Sequence, residues 1–178
     1  PRVSQLVVAR DLPPLILGNK DHFARLIDAA RQLPALKTAV VCPEDANSMG
    51  GLALSAREGL IEPVLVGNAE RMARIAAALG IDLSGWHQVH ESDPRAAAAV
   101  AVAMARQGEV GAVMKGAIHS DELLAAVVNK EHGLRGHSRL SHVFVMDVPT
   151  LDHLLFLSDA AIHIAPDLTT KVDITQTA

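Results

Sequence analysis

Short apolar segments alternate with amphipathic segments along most of this chain of 178 residues. The apolar segments lack regularly spaced polar positions, as expected of strands that are buried on both faces. The predicted strands are residues 37–42 (KTAVVC), 63–66 (PVLV) and 110–114 (VGAVM), with 87–90 as a weaker candidate. In the amphipathic segments apolar residues recur every three or four positions, which predicts helices. The predicted helices cover residues 20–33, 48–58, 69–79, 94–107 and 121–130.

This order of elements predicts a three-layer α/β fold, with a mostly parallel sheet covered by helices on both faces. Two more strands are predicted over residues 141–146 (SHVFVM) and 154–157 (LLFL), and a helix from about residue 166. Glycine and serine residues predict a flexible segment near residues 134–140, which favours a domain hinge there. The predicted domains are an N-terminal α/β lobe over residues 1–139 and the incomplete start of a second α/β lobe over residues 140–178.

Composition and charge narrow the classes of function. Hydrophobic residues make up 49% of the chain and aromatic residues only 2%, so a single-stranded nucleic-acid binder with stacking platforms is not expected. The net charge is −4 and the basic residues form no stripe, which argues against any nucleic-acid partner. A lone cysteine favours a cytoplasmic protein. The apolar runs are too short for a membrane span and the start lacks a signal-peptide pattern, so no membrane partner is expected. The first residue is not Met, which is consistent with a fragment or a processed piece.

The strongest candidate site follows the strand that ends in Lys115-Gly116. Ligands of open parallel sheets gather at the carboxyl ends of strands, and a glycine there lets the backbone approach a ligand closely. Ser120 is predicted to cap the next helix, whose first amides favour an anion, and Lys115 adds a positive charge. His119 is a candidate to polarise a substrate. The competing interpretations are a surface lysine, an exposed turn histidine and a serine that only caps the helix.

Further candidates lie after this helix. Arg135 and Arg139 flank the flexible segment, where they either clamp a phosphate or are simply solvated. Asp159 follows the LLFL strand and either faces a cleft or caps the next turn. Although the chain has nine histidines, His87 and His90 would point to opposite faces of a strand and no zinc-binding pattern occurs, so no metal site is predicted.

Three blocks of sequence together resemble a known family. They are MKGAIHSDELLAAVVNKEHGLR, RLSHVFVMDVP and LSDAAIHIAPDLTTK, in this order and with matching gaps. The chain resembles the phosphate acetyltransferase/butyryltransferase family from about residue 13 to its end. It is most similar to the phosphotransacylase-like half of proteins that also carry an enoyl-CoA hydratase domain.

The resemblance implies reversible transfer of an acetyl or butyryl group between coenzyme A and inorganic phosphate, without a metal or other cofactor, by a cytoplasmic homodimer. It implies a fold like that of isocitrate and isopropylmalate dehydrogenases, with the active site between two lobes. The residues assigned to catalysis are His119, Ser120 and Arg139. The residues assigned to substrate binding are Lys115, Gly116, Arg135, Ser141 and Asp159.

Two departures from the family pattern keep alternatives open. Where relatives carry an arginine in the helix after the turn, as in LLRAVLNKE, this chain has Ala125. The family sequence also continues beyond this chain, into segments that supply further active-site residues. A non-catalytic α/β module that binds coenzyme A, phosphate or a partner protein is therefore the second hypothesis. A metal- and NAD-dependent decarboxylating dehydrogenase of the same fold is the third.

Overall fold

The computed structural model describes residues 22–134, 136 and 139–178. The chain forms two compact units. The larger comprises Ile27–Leu140, and the smaller comprises residues 22–26 together with Ser141–Gln176. The lobe boundary expected between residues 139 and 140 stays a prediction. The first two residues of the helix predicted over 20–33 and the candidate ligand Arg135 lie outside the described residues.

The larger unit is built on a parallel sheet of four strands in the order β3-β2-β1-β4. Its strands are β1 (Leu36–Val41), β2 (Ile61–Gly67), β3 (His87–His90) and β4 (Ala112–Lys115). Its helices are α1 (His22–Ala30, which begins in the smaller unit), α2 (Ala46–Arg57), α3 (Ala69–Leu79), α4 (Pro94–Arg106) and α5 (Ser120–Val127). The predicted α/β fold and its strand and helix order are confirmed.

Side chains of the two central strands alternate between two apolar layers, because successive residues of a strand point to opposite faces. Val40 of β1 and Leu65 of β2 pack in the layer of α2 and α3, while their neighbours pack in the layer of α4. The α2–α3 layer contains Met49, Leu52, Met72 and Ala76, and the α4 layer contains Ala39, Val41, Val64, Val66, Ala97, Ala98 and Ala101. Each fully buried Leu or Val contributes about 1.5–3 kcal/mol. This two-sided burial explains why the strands are apolar throughout.

Helix starts follow the capping pattern of the sequence, with one exception. Asp93 accepts a hydrogen bond from the backbone N–H of Ala96 at 2.8 Å, and Pro94 occupies the first turn of α4, as predicted. The prediction that Ser120 caps the following helix is wrong. Ser120 is the first residue of α5, and His119 occupies the cap position without a side-chain hydrogen bond. The N-terminal amides of α5 are therefore not closed off by a local side chain.

The smaller unit contains an antiparallel pair of strands, β5 (Val143–Met146) and β6 (Leu155–Ser158), and helix α6 (Leu168–Thr177). The chain between the strands is too short for a parallel crossover, which needs a dozen or more residues. The N–H of His22 donates to Oδ2 of Asp147 at 2.9 Å within this unit. Among the described residues, no helix is long and apolar enough to cross a membrane.

Candidate functional site

The order in which strands are added to the sheet reverses between β1 and β4. The chain adds β2 and β3 on one side of β1 and then places β4 on the other side. In open α/β sheets, ligands bind at the carboxyl ends of the two strands where the order reverses. Lys115 is the last residue of β4 and lies at this edge of the sheet, paired in register with Val41 of β1. The predicted site thus falls at the position that the topology favours.

Gly116 joins the two strand ends closely. Its N–H donates to the carbonyl of Val41 at 2.8 Å, and the N–H of Ala117 donates to the carbonyl of Cys42 at 2.7 Å. A Cβ at residue 116 would lie 2.4 Å from the Val41 oxygen, so only glycine fits. The sequence suggested that this glycine lets the backbone approach a ligand. In the structure, the glycine is needed because the backbone after β4 contacts the backbone at the end of β1.

Cys42 is buried in this junction, at 2% exposure, with a left-handed backbone (φ 52°). Burial, together with the nearby carboxylate of Glu44, raises the pKa of its thiol to about 11. The thiolate is the nucleophilic form, and little of it exists at neutral pH with such a pKa. Cys42 is therefore a packing residue at the end of the strand.

Three predicted site residues surround the open start of α5. Lys115, His119 and Ser120 are all exposed. Nζ of Lys115 lies 3.3 Å from the carbonyl oxygen of Gly116, which is a weak contact that leaves the ammonium able to bind an anion. The first backbone bond of α5 runs from the N–H of Leu123 to the carbonyl of His119, at 3.3 Å. The preceding amides have no partner within the helix and can donate to an anion.

Two acidic side chains near Lys115 and the start of α5 affect how strongly this region attracts an anion. Oε1 of Glu122 lies 3.2 Å from Nε of Arg95 on α4, so its charge is compensated. Across the switch point, Asp45 caps α2 through the N–H of Ser48 at 2.7 Å. Hydrogen bonds from Ser48, with a smaller effect of Lys115, lower the pKa of Asp45. Lys115 is thus close enough to an ionised carboxylate for the two charges to interact.

The remaining described candidates lie in other places. Arg139 is exposed near the end of the larger unit. In the smaller unit, Oγ of Ser141 lies 3.1 Å from Oγ of Ser158, which in turn donates to the carbonyl of His142 at 2.9 Å. Ser141 therefore acts as the donor to Ser158, a role that closes the end of the β5–β6 pair.

Asp159 is the most constrained of the predicted residues. Its Oδ1 accepts hydrogen bonds from the N–H groups of Ala161 and Ile162, both at 3.0 Å, and its Oδ2 lies 2.6 Å from Nδ1 of His163. The bond from Ala161 has the largest effect, and with those from His163 and Ile162 it lowers the pKa of Asp159 to about 2. Asp159 caps the turn that follows β6, which is one of the two roles that the sequence allowed.

Comparisons with known proteins show which family the chain is similar to. The family model described as "Phosphate acetyl/butaryl transferase" matches residues 93–178. A phosphate acetyltransferase of Rickettsia prowazekii is 39% identical over 173 residues, covering 94% of this chain and 49% of the relative. A phosphate butyryltransferase of Clostridium beijerinckii is 32% identical over 151 residues, covering 85% of this chain and 50% of the relative. Over most of its length the chain is therefore similar to members of the phosphate acetyltransferase/butyryltransferase family.

A solved structure supports the fold independently. A phosphotransacetylase from Streptococcus pyogenes matches with a TM-score of 0.70 and 17% identity, covering 85% of this chain and 56% of that one. At this identity the match supports the fold alone. The chain spans about half the length of the curated family members it matches.

Ala125, the position at which the resemblance implied an arginine, lies on the surface. Ala125 is exposed on α5, in the helix that begins at the candidate anion site. No group of three or more His, Cys, Asp or Glu side chains in the described part of the chain is placed to hold a metal ion. A groove of about 710 Å³ lies beside α2 and α3, and none of the predicted site residues that the structure describes lines it.

Two residues of interest were missed in the sequence. Asp45 follows the strand next to the predicted site, and the signal was available, because parallel neighbours end at the same edge of the sheet. His163 was also missed, although it lies four residues after the candidate Asp159. Its contact depends on the turn formed by residues 159–163, for which no periodic pattern exists.

Proposed function

We propose that the full polypeptide transfers an acetyl or butyryl group between coenzyme A and inorganic phosphate. The observation that carries the proposal is the placement of Lys115 and Gly116 at the switch point of the sheet, beside the uncapped amides of α5. The named family members, a phosphate acetyltransferase and a phosphate butyryltransferase, support this choice of reaction. Coenzyme A thioester and phosphate would be the substrates, and no metal or other cofactor would be needed.

The reaction joins two negatively charged partners, so the site must reduce their charge. An oxygen of phosphate attacks the thioester carbonyl, and the resulting oxyanion needs hydrogen-bond donors. In this proposal, Lys115 and the amides of α5 hold the phosphate. His119 and Ser120 donate to the phosphate or to the oxyanion. Arg139 stays proposed as a catalytic residue, and Arg135, Ser141 and Asp159 stay proposed as residues that bind the substrates.

The proposed partner is a second copy of the chain. β5 and β6 are apolar on both faces and expose Phe144 by 49%, Phe156 by 58% and Leu157 by 45%. An isolated pair of strands is marginally stable in water, so further contacts are expected to cover it. Together with the single cysteine, the proposed substrates favour a cytoplasmic enzyme.

Thiol release tests the reaction. Acetyl-CoA and butyryl-CoA are incubated with the polypeptide in the presence of phosphate or of sulfate, and free thiol is measured over time. We expect release that requires phosphate and produces an acyl phosphate in equal amount. Release at equal rates in sulfate would indicate a thioesterase and would contradict the proposal.

A second candidate is a module that binds coenzyme A or phosphate without catalysis. The observation that favours it is Ala125, because an arginine at this exposed position could otherwise have bound phosphate. Thermal unfolding, combined with the assay of thiol release, distinguishes the two. A ligand at 100 times its Kd stabilises the folded state by about 2.7 kcal/mol, so coenzyme A or phosphate should raise the melting temperature in either case. Only the enzyme also releases thiol.

A further inference from the structure

The groove beside α2 and α3 is separate from the candidate anion site, although both lie in the larger unit. One of its walls is a set of α2 residues at helical spacing, namely Gly50, Ala53, Leu54 and Arg57. Residues three, four and seven positions apart share one face of a helix, so this wall is a stripe about 10 Å long. Gly50 lies at one end of the stripe and Arg57 at the other.

The opposite wall is apolar and is anchored to the core. It consists of Leu79 at the end of α3, with Ile81 and Trp86 in the connection to β3. Ile81 and Trp86 pack against the buried layer of α2 and α3, and the N–H of Trp86 donates to the carbonyl of Leu83 at 3.1 Å. Leu54 and Leu79 at the groove remain 50% and 43% exposed. The groove is therefore preformed, and its apolar surface is in contact with water.

Arg57 supplies the single charge among the described residues that line the groove. Its guanidinium is exposed and forms no ion pair within the described part of the chain. The adjacent carboxylate of Glu58 is already paired with Arg31 of α1. A hydrogen bond from Arg31 is the main reason why the pKa of Glu58 is lowered, and Arg57 has the smallest effect. The hydrogen-bond donors of Arg57 are thus left for a ligand.

Gly50 keeps the groove open. A Cβ at this position would meet nothing within 4 Å, and its backbone is not left-handed, so neither packing nor conformation requires glycine here. Glycine is also a poorer helix former than the other residues of α2. The missing side chain therefore leaves space in the groove. Gly51 has equally open surroundings but does not line the groove, so the two adjacent glycines form a matched pair.

Size and chemistry together indicate what the groove would bind. Its volume of about 710 Å³ lies within the range of small-molecule sites, about 300–1,000 Å³. A stable protein–protein interface involves about 20–30 residues on each side, whereas eight residues line this groove. An apolar chain lying along the stripe would cover Leu54 and Leu79. A carboxylate at the end of that chain would accept a bidentate, charge-assisted hydrogen bond from Arg57.

We propose that this groove is a binding site for a small amphipathic anion, a carboxylate with an unbranched aliphatic chain. Its apolar chain lies between α2 and the wall of Ile81 and Trp86, and its carboxylate binds Arg57. The site is separate from Lys115 and the start of α5, so the inference does not depend on the proposed acyl transfer.

Octanoate is a suitable probe, because its chain is about as long as the stripe. We use the full polypeptide that contains this chain, with any tryptophan outside the chain replaced by phenylalanine. Binding should change the fluorescence of Trp86, which is the single tryptophan of the chain. Titrations followed by this fluorescence and by calorimetry give the dissociation constant. Octanol, which has the same chain without the charge, should bind about 10-fold more weakly.

Three substitutions test the site. Gly50→Leu places a side chain in the groove and should abolish the fluorescence change. Gly51→Leu, one residue away, is the matched control and should leave the dissociation constant unchanged. Both variants should stay folded, since leucine is a better helix former than glycine and neither position has a neighbour within 4 Å. Arg57→Gln should weaken the binding of octanoate about 10-fold and leave that of octanol unchanged.

The outcomes separate this proposal from its alternatives. Absence of a change in fluorescence and heat with octanoate, or equal affinities of Gly50→Leu and Gly51→Leu, would overturn the site. Equal binding of octanoate and octanol would overturn the role of Arg57. A change of association state in Gly50→Leu, measured by sedimentation, would assign the groove to a contact between copies instead. Because binding is measured without catalysis, absence of phosphate-dependent thiol release would count against the proposed function alone.

Discussion

Gly116 lies directly against the carbonyl oxygen of Val41, to which its N–H donates at 2.8 Å. A Cβ at this position would lie 2.4 Å from that oxygen and 2.5 Å from the carbonyl oxygen of Cys42, and these backbone atoms cannot move aside cheaply. The ends of β1 and β4 are thus joined without space for any side chain. The closeness of this junction fixes where Lys115 is presented.

Gly116→Ala should destabilise the protein by about 2–4 kcal/mol, because the methyl group forces the two strand ends apart. Urea unfolding measures this change. The control is Gly50→Ala in α2, where an added Cβ meets nothing within 4 Å. Alanine is the better helix former by about 1 kcal/mol, so the control should be neutral or stabilising. Equal effects of the two substitutions would contradict the close contact at residue 116.

Leu52→Ala should cost about 2–5 kcal/mol, because Leu52 is fully buried in the layer of α2 and α3. Leu54 lies two residues away on the same helix and is 50% exposed. Leu54→Ala should therefore change the free energy of unfolding by less than about 1 kcal/mol. Chemical denaturation of both variants checks the orientation of α2, and a reversed order of effects would refute it.

Lys115→Met should weaken the use of phosphate while the protein stays folded. A hydrogen bond to a charged group contributes about 1.5–3 kcal/mol, which corresponds to a rise of about 10- to 100-fold in the phosphate KM. Initial rates of thiol release at varied phosphate concentration measure this. Lys130, an exposed lysine after α5, provides the control substitution Lys130→Met, which should leave the KM unchanged. The assignment of Lys115 is wrong if the two variants behave alike.

Asp159 should make stability depend on pH in the acid range. Its pKa is lowered to about 2 in the folded protein, against about 3.9 in an unfolded chain. The group therefore stabilises the fold fully above about pH 4, and this contribution is lost as the pH falls toward 2.

Urea unfolding between pH 7 and pH 2.5 tests this dependence with Asp159→Asn, which cannot ionise. The variant should be less stable than the unsubstituted protein at pH 7, and the difference should shrink below about pH 4. Asp152→Asn is the control, since Asp152 is 78% exposed. A difference for Asp159→Asn that stays constant over the whole range would show that the ionised carboxylate is not what stabilises the turn.

The sequence predicted the fold well where the signal is periodic or local. Apolar runs located β1 and β2 to within two residues, because both strands are buried on both faces and alternate with helices. Asp93 and Pro94 located the start of α4 for a purely local reason, since an acidic cap followed by proline needs no tertiary contact.

Features that depend on the path of the chain could not be predicted. Both His119 and Ser120 are polar residues before a helix, and the extended backbone of His119 (φ −67°, ψ 141°) is what makes it the cap of α5. The bond between Asp159 and His163 forms because two amides of the turn first fix the carboxylate. The position of Asp45 near Lys115 required the strand order, which places β4 beside β1.

That strand order also has a consequence for how the chain folds during synthesis. By the time β3 leaves the ribosome, α2 and α3 can already cover one side of β1 and β2. The opposite side, with Val41 and Val66, stays in water until α4 has been made, and β1 gains its second neighbour only with β4. The β1–β2 pair is therefore completed only by residues made much later, α4 and β4. Contacts between segments so far apart in sequence form slowly. Until α4 has emerged, the nascent chain carries an uncovered aliphatic surface that a chaperone can bind.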